Sequence, residues 1–150
     1  MIKTKRLVIL GDSAFAEVAY ECFTHDSEYE VVGFSVESGY IKRNSLFGLP
    51  VVPFETIEDN FCPRDVSFYA ALVYTQLNRL RTRLYLAAKA KGYAPACYVS
   101  RGAFVWPNAK IGEHCFIFED NTVQPFVEIG DNVVLWSGNH IGHHSVESQG

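Results

Sequence analysis

The sequence predicts an α/β chain in two parts: a small parallel sheet domain over residues 1–98, then the first coils of a parallel β-helix over residues 99–150. Two observations predict this. In the first two-thirds, short apolar runs without alternation are interleaved with segments of helical periodicity, the pattern of an open parallel sheet with right-handed crossovers. In the last third, every sixth residue is aliphatic: Val99, Val105, Ile111, Ile117, Val123, Ile129, Leu135 and Ile141. A helix repeats its apolar face about every 3.6 residues and an ordinary strand about every two. A period of six marks a β-helix, in which three short strands complete one coil.

Taken in order, Leu7-Val8-Ile9-Leu10 has the unbroken apolar character of a strand buried on both faces. Gly11-Asp12-Ser13 ends it. Phe15, Val18, Ala19, Cys22 and Phe23 then share one face of a helix, which Asp12 or Ser13 can cap by accepting from its free amides. Residues 24–30 form a polar turn and residues 31–36 a second buried strand, ending at Glu37. Residues 46–50 read as a turn and 51–54 as a short strand, with Pro53 at an edge or strand end. Residues 55–60 fit one helical turn, and 67–73 a third strong strand.

The longest helix signal covers residues 76–91. Thr75 is its N-cap, Leu77, Leu80, Leu84 and Ala87 or Ala88 its apolar face, and Gly92 its stop. Lys89 and Lys91 favour the dipole at its end, and Arg79, Arg81 and Arg83 are expected mostly on its outer side, as a solvated basic face; the alternative is that one of them or Asn78, near the helix start, meets a phosphate. A final strand over residues 96–99 runs into the six-residue repeat.

Ligands of open parallel sheets bind beyond the carboxyl ends of the strands. Those ends carry Gly11, Asp12 and Ser13, then Glu37, then the segment holding Tyr74 and Asn78. A tight turn at Gly11 offers amides and the positive end of a helix to an anion such as phosphate. A sheet that binds nothing is the competing reading. A dinucleotide-dependent oxidoreductase is the weaker alternative, because only one of the three fingerprint glycines is present.

In the repeat, Gly112, Gly130 and Gly142 follow an aliphatic position, where a corner is expected to need backbone freedom. Four residues after each aliphatic position come Ala103, Ala109, Cys115, Asn121, Val127, Val133, Asn139 and Ser145, which can pack inside or, for Asn, close a turn. The next position in register is Glu147, where the lattice wants Ile or Val. The register is therefore expected to stop short of three coils, and the chain to be truncated, a natural fragment or one piece of a split enzyme.

The net charge of −4 argues against a nucleic-acid surface, which carries a basic excess. Cys22, Cys62, Cys97 and Cys115 form no Cys-x-x-Cys pair. They are expected to be reduced and mostly buried in a cytoplasmic protein, with no metal site among them. Neither a signal peptide nor a membrane-spanning run is expected.

The hexads Ile111-Gly112-Glu113-His114-Cys115-Phe116, Ile129-Gly130-Asp131-Asn132-Val133-Val134 and Ile141-Gly142-His143-His144-Ser145-Val146 resemble those of the hexapeptide-repeat acyltransferases. The segments Val8 to Gly11, Val31 to Phe34, Gly48 to Val51, Ala71 to Arg81 with Asn78, and Gly92-Tyr93 extend the resemblance to the sialic-acid O-acetyltransferase and bacillosamine N-acetyltransferase group, over nearly the whole chain. The resemblance implies a Rossmann-like domain followed by a left-handed β-helix, assembled as a homotrimer. It implies a UDP-linked sugar at the strand-end loops (Gly11, Asp12, Ser13, Glu37, Tyr74 and Asn78) and acetyl-CoA between neighbouring β-helices, near Asn139 and His140. The implied activity is acetyl transfer to a nucleotide-linked sugar in surface polysaccharide or glycan synthesis. Departures occur in the first loop, which lacks a glycine-rich run followed by His, and after the second strand, where an acidic pair is reduced to Glu37.

Acetyl transfer needs a base for the attacking amine or hydroxyl, and imidazole, with a pKa of about 6.5, is suited to that near neutrality. His143 stands where the family's catalytic histidine follows an Ile-Gly pair. His144 occupies the place where one branch has an orienting acid. A solvated corner or an adventitious metal are the competing readings of the cluster, and no metal is expected. A different class of function also fits: a nucleotide-sugar-binding or assembly module without an acyl-donor site.

Overall fold

The computed structural model describes residues 1–72 and 79–148, and the chain divides into two compact units, Met1–Pro95 and Ala96–Gly150. In the first unit the strands are β1 (Lys5–Leu10), β2 (Tyr29–Val36), β3 (Ser45–Leu46), β4 (Leu49–Pro53) and β5 (Val66–Ala70), in the sheet order β3-β4-β2-β1-β5. β4, β2, β1 and β5 are parallel, and β3 adds an antiparallel hairpin at the edge beside β4. Leu7, Val8, Ile9 and Leu10 have no exposed surface. Full burial on both faces of a central strand explains their lack of alternation.

The helices are α1 (Ala14–His25) and, within the described residues, α2 (Arg79–Ala90), with a short 3₁₀ segment at Phe54–Asp59. α1 buries Phe15, Ala16, Ala19 and Phe23, while Val18 is exposed. Its N-cap residue is Ser13, but neither Ser13 nor Asp12 caps it through a side chain; the Ser13 carbonyl accepts from the Glu17 amide instead. At its other end Lys3 Nζ donates to the carbonyls of Phe23, Thr24 and Ser27, placing a cation on the negative end of the helix.

The buried stripe of α2 is Arg81, Leu84, Tyr85 and Ala88, spaced as i, i+3, i+4 and i+7. Arg81 is thus an inner residue, 4% exposed, and not part of an outer basic face. Its long aliphatic stem lets arginine occupy an apolar stripe. Gly92 (φ 97°) ends the helix, with the Tyr93 amide returning to the Ala88 carbonyl. The expected cap Thr75 and the residues around it lie outside the described residues.

Among its described residues the second unit carries nine two-residue strands, from β6 (Tyr98–Val99) through β7 (Phe104–Val105), β8 (Lys110–Ile111), β9 (Phe116–Ile117), β10 (Thr122–Val123), β11 (Glu128–Ile129), β12 (Val134–Leu135) and β13 (His140–Ile141) to β14 (Val146–Glu147). They form three parallel sheets, β6-β9-β12, β7-β10-β13 and β8-β11-β14, one for each side of the coil. Each position stacks on the one 18 residues later, as Val99 on Ile117 on Leu135. Residues 96–99 are accordingly split: Tyr98–Val99 begins the β-helix and does not extend the sheet.

The ladder also runs one strand past the expected stop. Val146–Glu147 pairs with Glu128–Ile129, and backbone hydrogen bonds from Glu128 and Gly130 hold the polar residue in register. The aliphatic positions and the small residues four places on make one core, including Cys115, Val127 and Val133. Asn121 is buried and closes its turn as expected, donating to the carbonyls of Phe118 and Leu135 and accepting from the Asn139 amide.

The corner glycines have a different reason from the one expected. None of Gly112, Gly130 and Gly142 has a positive φ. A Cβ at Gly112 would press on Asp131 Oδ1 and lie 2.8 Å from the Gly130 carbonyl oxygen, so glycine is there for space. The left-handed positions lie two residues later and carry His114, Asp120, Phe126, Asn132, Gly138 and His144. Cys115 is buried, but Cys22, Cys62 and Cys97 are only half-buried.

Candidate functional site

In the first unit, a crevice of about 130 Å³ opens at the carboxyl ends of β1, β2 and β4. Gly11, Asp12 and Ser13 line it from the turn between β1 and α1, and Glu37 from the end of β2. Gly11 is in the left-handed region (φ 108°), and a Cβ there would meet the Ala71 carbonyl oxygen at 2.9 Å. The turn is therefore restricted to glycine both by conformation and by space. Phe54, Leu72, Leu80 and Leu84 supply an apolar floor. Four sequence-derived residues thus meet at one place; Tyr74 and Asn78 lie outside the described residues.

Three features of this crevice are not evident from sequence. Arg83 forms a two-pronged ion pair with Glu37, Nη1 to Oε2 at 3.0 Å and Nη2 to Oε1 at 2.7 Å. Those hydrogen bonds hold the Arg83 guanidinium above its ordinary pKa. Arg43 reaches Asp12 at 3.5 Å. Ser35 lines the crevice, is 1% exposed, and its buried Oγ has no hydrogen-bond partner among the described residues. A buried hydroxyl left unpaired is costly in a protein interior. Helical and strand spacing assign faces, but these contacts join residues far apart in the chain, such as 37 and 83.

In the second unit, His143 and His144 stand at the corner between β13 and β14, both exposed. The His143 amide donates to Gln124 Oε1 at 3.1 Å, and the His144 amide to the Pro125 carbonyl. His143 Nδ1 lies 3.0 Å from His144 Nδ1. The His144 ring stacks on Phe126, centroids 4.7 Å apart and planes within 13°. His140 is on β13, beside Thr122 of the neighbouring coil, and is not joined to this pair by any described contact. Asn139 closes its own turn by donating to the Trp136 carbonyl at 2.6 Å. Among the described residues no group of three His, Cys, Asp or Glu side chains is placed to hold a metal ion.

Two contacts between successive coils were not brought together by the sequence. His114 has no exposed surface and pairs through Nδ1 with Asn132 Oδ1 at 2.8 Å. Cys97 and Cys115, one coil apart, hydrogen-bond, which draws the Cys97 thiol down from its ordinary range and pushes that of Cys115 up. The 18-residue spacing of both pairs is the signal that could have found them.

Residues 108–143 match the family described as bacterial transferase hexapeptide (six repeats). No curated protein matches the sequence significantly. Among solved structures, the chain resembles the acetyltransferase domain of PglB from Neisseria gonorrhoeae, with a TM-score of 0.79 at 20% identity, over 97% of this chain and 69% of that one. The same domain in complex with acetyl coenzyme A matches at 0.79 and 19%, over 97% and 68%. A mutant of perosamine N-acetyltransferase from Caulobacter crescentus, in complex with CoA and GDP-perosamine, matches at 0.74 and 20%, over 94% of this chain and 64% of that one. The fold is thus that of these acetyltransferase structures: an α/β domain followed by a left-handed parallel β-helix.

Proposed function

We propose that this chain belongs to an acetyl-CoA-dependent sugar acetyltransferase, in which the strand-end crevice holds a nucleotide-linked sugar and His143 removes the proton from its attacking amine or hydroxyl. The observation that carries this is the shared fold over both units, with structures that hold acetyl coenzyme A in one case and CoA with GDP-perosamine in another. The crevice supports the acceptor half of the reading. Its apolar floor suits a base, its Gly11 turn at the start of α1 suits a phosphate, and Glu37 and Ser35 offer an acceptor and a hydroxyl.

The chemistry is one acyl exchange. The sugar nucleophile forms a bond to the acetyl carbonyl carbon, the carbon–sulfur bond of acetyl-CoA breaks, and the nucleophile's proton passes to the His143 imidazole. The sulfur leaves as thiolate and is protonated to CoA. Asn139 and His140 lie near the acyl donor in this reading. The protein works in the cytoplasm on precursors of surface glycans, as a homotrimer. Exposed Phe104, Trp106, Phe126 and Trp136 on the β-helix unit support self-association. No helix of the described residues is long and apolar enough to cross a membrane.

The test is a thermal-shift panel with UDP-sugars, GDP-sugars, NAD and acetyl-CoA. A ligand at about 100 times its Kd adds about 2.7 kcal/mol, a rise of several degrees for a chain of this size. Shifts with a nucleotide sugar and with acetyl-CoA are expected. A shift with the nucleotide sugar alone would reduce the chain to a binding module, and a shift with NAD alone would overturn the reading. In an acetyl-transfer assay, His143→Ala is expected to lower turnover by about 10²–10⁴; a loss under about tenfold would remove His143 from the role.

A further inference from the structure

We propose that Cys97 and Cys115 are a disulfide-forming site, oxidised by a hydroperoxide, that locks the first coil of the β-helix to the second. Register brings the two residues together. β6 and β9 pair in parallel, Tyr98 on Phe116 and Val99 on Ile117, and the Tyr98 amide donates to the Cys115 carbonyl at 2.9 Å. Cys97 and Cys115, one place earlier on each side, are therefore stacked one coil apart. Strands paired this way set matched Cα atoms about 4.8 Å apart, inside the span of about 4.4–6.8 Å that a disulfide bridges. The two side chains also point the same way. Cys97 Sγ lies 3.2 Å from the Gly112 carbonyl oxygen and Cys115 Sγ 3.1 Å from that of Gly130, the same niche in successive coils. The Cys115 amide donates to Cys97 Sγ at 3.3 Å, so the Cys97 sulfur already reaches its partner residue. Rotation about χ1 on each side closes the remaining gap.

The two thiols divide the chemistry. Cys97 is half-buried, and Cys115 has no exposed surface. An amide N–H aimed at sulfur favours the thiolate, which is the nucleophile, and the Cys97 thiol is held below its ordinary range. The Cys97 thiolate attacks one oxygen of the hydroperoxide and the oxygen–oxygen bond breaks. Cys97 becomes a sulfenic acid, and the departing oxygen takes the proton that Cys97 gave up. Cys115 Sγ then attacks the Cys97 sulfur. The sulfur–oxygen bond breaks, and hydroxide leaves with the Cys115 proton as water. The two sulfurs lose two electrons in all, and the peroxide gains them. Burial keeps Cys115 from direct oxidation while holding it beside the sulfenic acid. β6 is an edge strand of the sheet β6-β9-β12, and coils of a solenoid are held only by their neighbours. The bridge ties that edge covalently and closes a loop of one coil, which restricts the unfolded chain.

The experiment treats the full chain with hydrogen peroxide under native conditions, blocks the remaining thiols by alkylation and maps the tryptic peptides by mass. Cleavage after Lys91, Arg101 and Lys110 puts Cys97 in the peptide 92–101 and Cys115 in the peptide that begins at Ile111. These two are expected to be joined, and to separate in dithiothreitol. Cys115→Ala is expected to stop at a Cys97 sulfenic acid, trapped by dimedone, and Cys97→Ala to leave Cys115 unmodified. The oxidised wild type is expected to melt several degrees above the reduced form. A wild-type Cys97 trapped as sulfenic acid without a bridge would overturn the site, as would bridges to Cys22 and Cys62 formed as readily as the bridge to Cys115. An oxidised form that melts no higher than the reduced one would overturn the lock. Each of these readouts is independent of the role given to His143.

Discussion

Ser35 shows what one residue contributes when its packing and its polarity disagree. Among the described residues its hydroxyl is buried without a partner, at 1% exposure, in a crevice with an apolar floor. Ser35→Ala removes a desolvated group, so thermal stability is expected to hold or to rise by up to about 1 kcal/mol. Nucleotide-sugar affinity, measured by calorimetric titration, is expected to fall about fivefold or more, the value of one hydrogen bond. A loss of stability with unchanged affinity would mean that the hydroxyl serves the fold. Tyr93 is the opposite case, a phenol that is both buried and bonded, its hydroxyl donating to the Phe61 carbonyl. Burial pushes its pKa up to about 12, against about 10 in an unfolded chain. The folded value is the higher, so this contribution is complete below about pH 10 and is lost as pH rises through 12, on the order of 2 kcal/mol. Comparing urea midpoints at pH 7 and pH 11 should show a smaller alkaline loss for Tyr93→Phe than for the wild type.

Elements in this chain are closed by neighbours distant in sequence. α1 begins without a side-chain cap and ends on Lys3, whose ammonium bonds three carbonyls of its last turn and the turn beyond. Charge-assisted bonds of this kind contribute about 1.5–3 kcal/mol in all when partly buried. Lys3→Ala is expected to lower the unfolding free energy from urea titration by a corresponding 1.5–3 kcal/mol, roughly, whereas Lys5→Ala, which loses an exposed pair with Glu28, should cost less than about 1 kcal/mol. α2 is tied to the end of β2 by Arg83 and Glu37, so the helix holds one wall of the crevice. In the β-helix the elements are only two residues long, and stability lies in stacking. That is why Glu147 can occupy an aliphatic slot: its backbone completes the ladder of β8, β11 and β14 whatever its side chain.

At the scale of the molecule, the two units follow different rules. The sheet unit buries a continuous core between layers, including Val8, Leu10, Phe68 and Leu84, and has its crevice at the strand ends. The β-helix unit repeats one coil and carries the His143–His144 pair at a corner. Exposed aromatic side chains on the latter make self-association the expected state. Light scattering is expected to give about three times the 16.9 kDa of one chain; a monomer at high concentration would contradict the trimer.

Periodicity made most of this architecture legible in the sequence. Six-residue spacing located eight of the nine β-helix strands, and unalternated runs located β1, β2 and β5, because burial on defined faces forces those patterns. Gly11, Asp12, Ser13 and Glu37 could be brought together on paper, since parallel strands align their carboxyl ends. What periodicity could not supply was any contact between positions whose spacing is not a lattice repeat. The inward turn of Arg81, the Arg83–Glu37 pair, the burial of Ser35 and the space that demands glycine at 112 depend on which faces meet, a property of the folded chain. The His143–His144 pair lies between: adjacent in sequence, but its nitrogen-to-nitrogen contact and the stacking of His144 on Phe126, one coil away, are seen only in the folded chain.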